Sequence, residues 1–252
     1  MRPILFYIGP FPVFSYGIFI LLGVIVLFTI ALNLGRRANL KWGELVPTTF
    51  GVGVGGVLGA RLSHLLVEPD KLIELLNFYS LFRPGTPGNI VGLMIGGYLG
   101  GTLVRLSLNL PSLASFYAPA MAAASVIWRI GCTLAGCCYG KQTELPWAIF
   151  LENANRHPTM IYEGLFNLVM FFVIWRLRSE IKLDDGLLFL YFAGYAFFRF
   201  WLEFIRVYPP IIFGLTGVQY LCLGTLLGLS IWFWQQRFGQ NIKLLAKKEA
   251  RG

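Results

Sequence analysis

The stretch FSYGIFILLGVIVLFTIALN, residues 14–33, contains no charged side chain. A helix needs about 20 such residues, at a rise of ~1.5 Å each, to cross the hydrocarbon core of a bilayer. The stretch therefore predicts a transmembrane helix. The whole chain has a similar character, since 56% of its 252 residues are hydrophobic and 13% are charged, unlike a soluble globular domain.

Six more windows of this kind follow along the chain, at residues 45–66, 89–108, 113–138, 160–177, 186–207 and 212–235. They predict an all-α fold, a polytopic membrane helix bundle of about seven transmembrane helices in a single integral membrane domain, residues 1–252. The second, third and fourth of the seven spans are rich in Gly and Ala, as in GVGVGGVLGA, which lets helix backbones approach closely. We expect these three helices to form the interior of the bundle.

The 21 Lys and Arg residues predict how the helices are oriented, because cytoplasmic loops collect these side chains. With the N-terminus outside, the inner segments hold about twice as many of them as the outer segments. The C-terminus is then cytoplasmic, and residues 237–252 form a basic cytoplasmic tail. This orientation explains the net charge of +9, so no nucleic-acid partner is expected.

Three arginines, Arg61, Arg129 and Arg199, lie inside predicted spans. An Arg at the bilayer centre costs ~2.5 to 3.5 kcal/mol, so a span that retains one normally turns it towards a partner or a cavity. All three fall in the outer half of the predicted bilayer, which favours a shared site for an anionic group. Alternatively, they extend to the outer headgroups or pair with Glu203 as structural contacts.

The sixth span carries a polar stripe on an otherwise aromatic helix. Its members Tyr195, Arg199, Glu203 and Arg206 are spaced so that they share one helical face. Guanidinium groups match phosphate oxygens in bidentate geometry, and a Tyr hydroxyl adds a donor. The stripe therefore favours an anionic phospholipid headgroup as ligand. Alternatively, a structural ion pair of Arg199 with Glu203 accounts for two of its four residues.

Three cysteines, Cys132, Cys137 and Cys138, crowd into the segment WRIGCTLAGCCYGK, residues 128–141. They are interpreted in three ways: small buried apolar side chains, a soft-metal or redox cluster, or a nucleophile or ligand near the site. A zinc site usually has four Cys or His ligands in spaced pairs, and only His157 and His64 remain to complete one. We therefore expect no metal site and no cofactor.

A further candidate catalytic residue is His157, in the segment NRHPTMIYEG, residues 155–164. A histidine here could act as a base near neutral pH. The alternative is a structural residue that holds the loop by contact with the backbone or with Glu163. Tyr16, at the outer end of the first span, is by default an interfacial anchor.

Taken together, these segments resemble the bacterial prolipoprotein diacylglyceryl transferases, a seven-span family that moves diacylglycerol from phosphatidylglycerol to the lipobox cysteine of lipoprotein precursors. The resemblance runs almost end to end through FSYG, GARL, RHPTMIYE and YAFFRFWLEFIR. It implies a multi-pass protein of the bacterial inner membrane. It also implies lipid-binding or catalytic roles for Tyr16, Arg61, Tyr195, Arg199, Glu203 and Arg206, and it aligns Arg129 with the arginine of the family's central GRxGNFxNGE block.

The chain departs from the family pattern around the reacting thiol. In the central block, Gly131, Gly136 and Gly140 fit, but Cys132 replaces the usual Asn and Cys137 the usual Glu. The third-span histidine is replaced by Ile90 or Val91, and Met160 stands where RHPTMIYE would carry Gln. The resemblance thus places the chain in a cysteine-rich branch of the family.

The first functional hypothesis is diacylglyceryl transfer from phosphatidylglycerol to the thiol of a lipoprotein precursor, with Arg129 and Arg199 stabilising the departing phosphate. Tyr195, His157 or a cysteine such as Cys137 would replace the missing base. Two alternatives stay open. One is a lipid-binding homologue with thiol-based chemistry, and the other is a non-catalytic phospholipid-binding or transport protein.

Overall fold

The computed structural model describes residues 2–64, 90–110, 112–178, 185–211 and 213–249, of which it gives only the backbone for Ile8, Phe11, His64 and residues 236–249. In these ranges seven helices are long and apolar enough to cross a membrane. They are α1 Ser15–Arg37, α2 Trp42–His64, α3 Ile90–Ser107, α4 Ala114–Ala135, α5 Thr159–Leu177, α6 Gly186–Leu202 and α7 Gly217–Glu249. The predicted all-α membrane bundle of seven helices is confirmed.

Most helix ends lie within five residues of the predicted windows, but α7 continues to Glu249, 14 residues beyond the predicted end at residue 235. Two other differences have local causes. Helix α4 stops at Ala135 because Gly136 adopts φ 70°, a left-handed conformation that terminates helices. Helix α6 stops at Leu202 and continues as a short 3-10 helix, Glu203–Ile205. Residues 65–66 and 250–252, parts of the predicted second span and basic tail, lie outside the described residues.

Two short hairpins were not predicted from the sequence. Strand β1, Ile4–Ile8, pairs antiparallel with β2, Phe11–Phe14, and β3, Ile149–Leu151, pairs antiparallel with β4, Ala154–Arg156. The first hairpin lies against the end of α4, where the Arg2 amide donates to the Leu134 carbonyl at 2.9 Å. Exposed aromatic side chains on and beside the hairpins suit the polar boundary of a bilayer: Phe6, Tyr7, Trp147 and Phe150.

Helices α4 and α6 form the most buried part of the bundle. Helix α4 packs against α1, α5 and α6, and its small residues Ala118, Ala120, Ala122 and Ala124 are fully buried. The expectation that the second and third spans also form the interior was wrong. Helices α2 and α3 pack tightly on each other through glycines, but the opposite faces of the pair are exposed, for example at Phe50 and Leu103.

The α2–α3 contact depends on glycines that let two backbones touch. A Cβ atom on Gly96 would collide with the Gly55 carbonyl, and one on Gly55 would collide with the Gly96 carbonyl.

Gly96→Val is therefore expected to lower the free energy of unfolding by about 1–3 kcal/mol through overpacking. Thermal unfolding in detergent measures this effect. Gly224→Ala on α7, where nothing lies within 4 Å of an added Cβ, is the control, and equal Tm values for the two variants would contradict the prediction.

Candidate functional site

The candidate site forms where the ends of several helices meet at one end of the bundle. The segment after α4 is tied to the end of α6 by a hydrogen bond from the Lys141 amide to the Ile205 carbonyl, 2.7 Å. It is tied to the chain before α5 by the Gly140 amide, which donates to the His157 carbonyl at 2.9 Å. A Cβ on Gly140 would meet both neighbouring segments. This close approach brings α4, α5 and α6 to one centre.

Glu163, on the first turns of α5, occupies that centre and is fully buried. Its Oε1 accepts hydrogen bonds from Arg199 Nη1 at 2.8 Å and from Arg206 Nη1 at 3.0 Å. Its Oε2 forms an ion pair with Arg129 Nη2 and accepts a hydrogen bond from the Tyr195 hydroxyl at 3.1 Å. One carboxylate therefore organises three guanidinium groups and a phenol from three different segments.

A second carboxylate, Glu203, completes the group. Its Oε2 lies 2.7 Å from Arg199 Nη2 and 4.0 Å from Arg206 Nε, and its Oε1 accepts a hydrogen bond from Thr216 at 3.0 Å. The pairing of Arg199 with Glu203 considered in the sequence analysis is present, but Arg199 bridges both carboxylates. Since three arginines face two carboxylates, these five side chains together carry one positive charge in excess, which suits an anionic group beside them.

The three arginines differ in how far they are accessible. The Arg129 side chain is 13% exposed, whereas those of Arg199 and Arg206 are 6% and 4% exposed. Burial alone would lower the pKa of Arg206, which follows the sixth span, but the adjacent Glu163 carboxylate outweighs burial and holds the pKa above its ordinary value. Arg206 is therefore charged at any physiological pH, and Arg129 is the most exposed cation of the group.

The three cysteines converge beside this group. The Sγ atoms of Cys132, Cys137 and Cys138 all lie within 4.8 Å of one another, and the cysteines are free thiols. After the left-handed Gly136, the Cys137 amide donates to the Cys132 carbonyl at 3.1 Å, which folds the chain back over the end of α4. Cys138 itself has φ 64°. The local turn thus places sulfur atoms from two chain segments together.

The thiols and the arginines interact directly. Arg129 Nη1 lies 3.9 Å from Cys132 Sγ. Hydrogen bonds from the thiols of Cys132 and Cys137, together with the nearby Arg129 and Arg206 charges, hold the pKa of Cys138 well below its ordinary value. The arrangement favours a thiolate at Cys138.

Tyr16 and Arg61 lie at the edge of the site. The Tyr16 hydroxyl interacts electrostatically with the three thiols and with Arg129, and Arg61 interacts with Tyr16. Gly131 permits the close packing of α4 on α1, because a Cβ there would collide with Phe19. The structure thus brings Arg129 and Arg199 together with Arg206 around Glu163 and places Arg61 beside Tyr16.

His157 is held by contacts of its own. Its amide donates to the Lys141 carbonyl at 3.0 Å, and Nδ1 lies 3.4 Å from the Tyr162 hydroxyl, which also accepts from Trp147 Nε1 at 2.8 Å. These contacts fit the structural role that the sequence analysis considered for His157. Its side-chain partner is Tyr162, however, and not Glu163. The side chain of His64 lies outside the described part of the chain.

Glu163 is the residue that the sequence analysis missed as a site residue. It was considered only as a contact for His157. A signal was available, because a carboxylate near the start of an apolar span needs a cationic partner, and three arginines were already placed in spans. Sequence alone did not reveal that all of its partners come from other segments.

The fold and the site define a polytopic membrane protein that encloses a buried arginine and carboxylate cluster beside free thiols. Residues 3–234 match the family model described as prolipoprotein diacylglyceryl transferase. The chain belongs to the prolipoprotein diacylglyceryl transferase family.

Individual relatives agree with the family model. A phosphatidylglycerol–prolipoprotein diacylglyceryl transferase of Clostridium tetani is 30% identical over 220 residues, covering 83% of this chain and 87% of the relative. A relative from Clostridium perfringens, named as transferase 2 of this kind, is 29% identical and covers 90% and 93%. A relative of the same name from Campylobacter hominis is 28% identical and covers 98% and 92%. The resemblance stated from the sequence is confirmed.

Proposed function

We propose that this protein transfers the diacylglyceryl group of phosphatidylglycerol to the cysteine thiol of a lipoprotein precursor. The observation that carries the proposal is the cluster of Arg129, Arg199 and Arg206 around Glu163, directly beside three thiols. The reaction needs a place for a phosphate and a place for a thiol at adjacent positions. The curated relatives carry the name of this activity.

The arginines are suited to hold the phosphate of the lipid. Each guanidinium has five N–H donors, and the two carboxylates occupy only some of them. Arg129 is the most exposed of the three and sits next to the thiols. A phosphate bound there would accept charge-assisted hydrogen bonds, and the preplaced donors would stabilise the charge that develops on the departing glycerol phosphate. Glu163 and Glu203 act as positioning residues that hold the guanidinium groups in place.

Apolar side chains line two crevices that begin at this polar centre. A narrow one, between α3, α6 and α7, is lined by Tyr195, whose hydroxyl binds Glu163. A second, with a free volume of about 40 Å³, shares Met94 and Phe192 with the first. A diacyl lipid with its headgroup at the arginines would have these apolar side chains beside its acyl chains.

In the proposed reaction, the acceptor thiolate attacks the glyceryl carbon that carries the phosphate. A carbon–sulfur bond forms, the carbon–oxygen bond breaks, and glycerol phosphate leaves with the electron pair. The Tyr195 hydroxyl donates a hydrogen bond to Glu163, so it serves as a positioning donor in this geometry. His157 Nδ1 faces Tyr162, so the cysteines are the candidate bases that lie beside Arg129.

The proposed location is the bacterial inner membrane, in a single integral membrane domain with the N-terminus outside and the C-terminus in the cytoplasm. This orientation follows from the distribution of Lys and Arg among the loops. It puts the arginine cluster near the outer face, where the start of α5 and the end of α6 meet. Exported precursors would reach the site from that face.

Arg129→Ala is expected to reduce diacylglyceryl transfer about 10²- to 10³-fold, because it removes a preplaced donor to the departing phosphate. The assay uses purified protein, phosphatidylglycerol vesicles and a lipobox peptide, with lipidated peptide detected by mass spectrometry. Arg37→Ala, at an exposed position near the opposite end of the bundle, is the matched control and should transfer normally. Wild-type protein that binds phosphatidylglycerol without lipidating any peptide would overturn the proposal and favour a non-catalytic lipid-binding protein.

A further inference from the structure

The three sulfur atoms of Cys132, Cys137 and Cys138 are close enough to share one metal ion. Zinc–sulfur bonds of ~2.3 Å in a tetrahedral site hold sulfur atoms about 3.8 Å apart. The three Sγ atoms lie within 4.8 Å of one another, at most about 1 Å more than this spacing. The sequence argued against a metal because a fourth ligand was missing. The structure shows that three thiols are already gathered at one place.

The backbone around these thiols favours their convergence. Gly136 and Cys138 both have positive φ, at 70° and 64°, and a non-glycine residue in this region is uncommon. The Thr159 hydroxyl donates to the Cys138 carbonyl and fixes the turn on α5. Cys132, at the end of α4, is buried, whereas Cys137 and Cys138 are partly accessible. The group is thus held by two segments and can be reached from outside the bundle.

The site has three ligands and one open position. Within the described residues, no histidine, carboxylate or fourth cysteine joins the group. Zinc sites that are closed by four protein ligands are structural, while catalytic sites keep one position for water or substrate. Three thiolates on a zinc ion carry one net negative charge, and Arg129, 3.9 Å from Cys132 Sγ, offsets it.

We propose that Cys132, Cys137 and Cys138 bind one Zn²⁺ and that the acceptor thiol takes its fourth position. The acceptor part of this inference rests on the proposed function. We propose zinc instead of copper(I) because the proposed reaction needs a fourth position for the acceptor thiol, which a copper(I) ion bound by three thiolates does not offer.

The bound ion would supply what a general base otherwise supplies. At its fourth position the ion would hold the acceptor thiol as a thiolate, with the proton released to water, because a coordinating thiol is deprotonated by the ion. The acceptor sulfur would then form the carbon–sulfur bond to the diacylglyceryl carbon as the carbon–oxygen bond to the phosphate breaks. Glycerol phosphate would leave beside Arg129, next to the cluster. The thioether product is a weak ligand and would dissociate, which would free the site for another thiol.

Metal content of the full-length protein, purified in detergent without chelators, tests the site. We expect about one zinc per chain in the wild type and in Cys222→Ala, a buried cysteine on α7 that is not part of the cluster. Cys132→Ser, Cys137→Ser and Cys138→Ser should each retain less than about a tenth of that zinc. Should these variants fail to fold, X-ray absorption of the wild type still decides, with three sulfur ligands and one lighter atom expected. Addition of a lipobox peptide should raise the sulfur count to four.

The outcomes separate this inference from the proposed function. Zinc bound by three sulfurs without any lipid transfer would support the metal site and overturn the function. Full transfer by metal-free protein, unaffected by a chelator, would overturn the zinc inference and leave the function intact. Copper in place of zinc would also overturn the zinc inference. A protein mass lower by two hydrogen atoms, which indicates a disulfide, would overturn it too. A sulfur count that stays at three with peptide present would overturn the acceptor role.

Discussion

Glu163→Gln is expected to abolish transfer and to destabilise the protein more than any other single change at the site. The carboxylate is buried and binds Arg129, Arg199 and Arg206. An amide keeps the volume but not the charge, so three guanidinium groups would repel one another with only Glu203 to compensate. Removing one partner of a buried ion pair typically costs about 3–5 kcal/mol. Thermal unfolding in detergent and the vesicle assay measure the two effects.

The matched control for Glu163→Gln is Glu144→Gln, because Glu144 is exposed in the loop after α4. Its Tm and its transfer rate should equal those of the wild type. A Glu163→Gln protein with both properties unchanged would show that the arginines do not depend on this carboxylate. Loss of transfer at normal Tm would instead assign Glu163 a direct role in the reaction.

Arg199→Met is expected to give the second largest effect. Arg199 joins the two carboxylates, with Nη1 at 2.8 Å from Glu163 Oε1 and Nη2 at 2.7 Å from Glu203 Oε2. Methionine fills similar space but leaves Glu203 with Thr216 and a distant Arg206 Nε. A buried carboxylate without its cation is costly, so the free energy of unfolding should fall by about 3–5 kcal/mol and transfer should be lost.

The double variant Arg199→Met/Glu203→Gln separates stability from catalysis. It removes both members of the pair, and replacing a whole buried ion pair is often close to neutral for stability. We therefore expect the Tm to recover most of the loss while transfer stays low, because the phosphate still lacks one of its donors. Recovery of transfer along with Tm would show that Arg199 acts only through folding.

The fold followed from the sequence because membrane insertion depends on local composition. Seven apolar windows predicted seven helices, and the structure confirmed them, with most ends shifted by five residues or fewer and α7 extended to Glu249. The hairpins and the end of α4 could not be predicted in this way. The left-handed conformation of Gly136 and the pairing of short strands depend on contacts with other segments. The small-residue spans showed the same limit. Their composition predicted close packing, but only packing in three dimensions decided that α2 and α3 leave one face exposed.

Part of the site was also visible in the sequence. A charged residue in an apolar span is costly, so Arg129 and Arg199 stood out, and helical spacing linked Arg199 to Tyr195 and Glu203. The role of Glu163 was hidden, because its ion pairs join positions 34 or more residues apart along the chain. Spacing along one helix carries no information about such pairs.

The stretch at residues 14–33 and its six counterparts by themselves determined a polytopic helical membrane protein, because an apolar helix satisfies its own backbone hydrogen bonds within the bilayer. The tertiary structure alone decided what the buried charges do. It placed one carboxylate among three guanidinium groups and three sulfur atoms within 4.8 Å of one another. Charges and thiols interact through space over a few ångströms, so their chemistry depends on which helix ends meet.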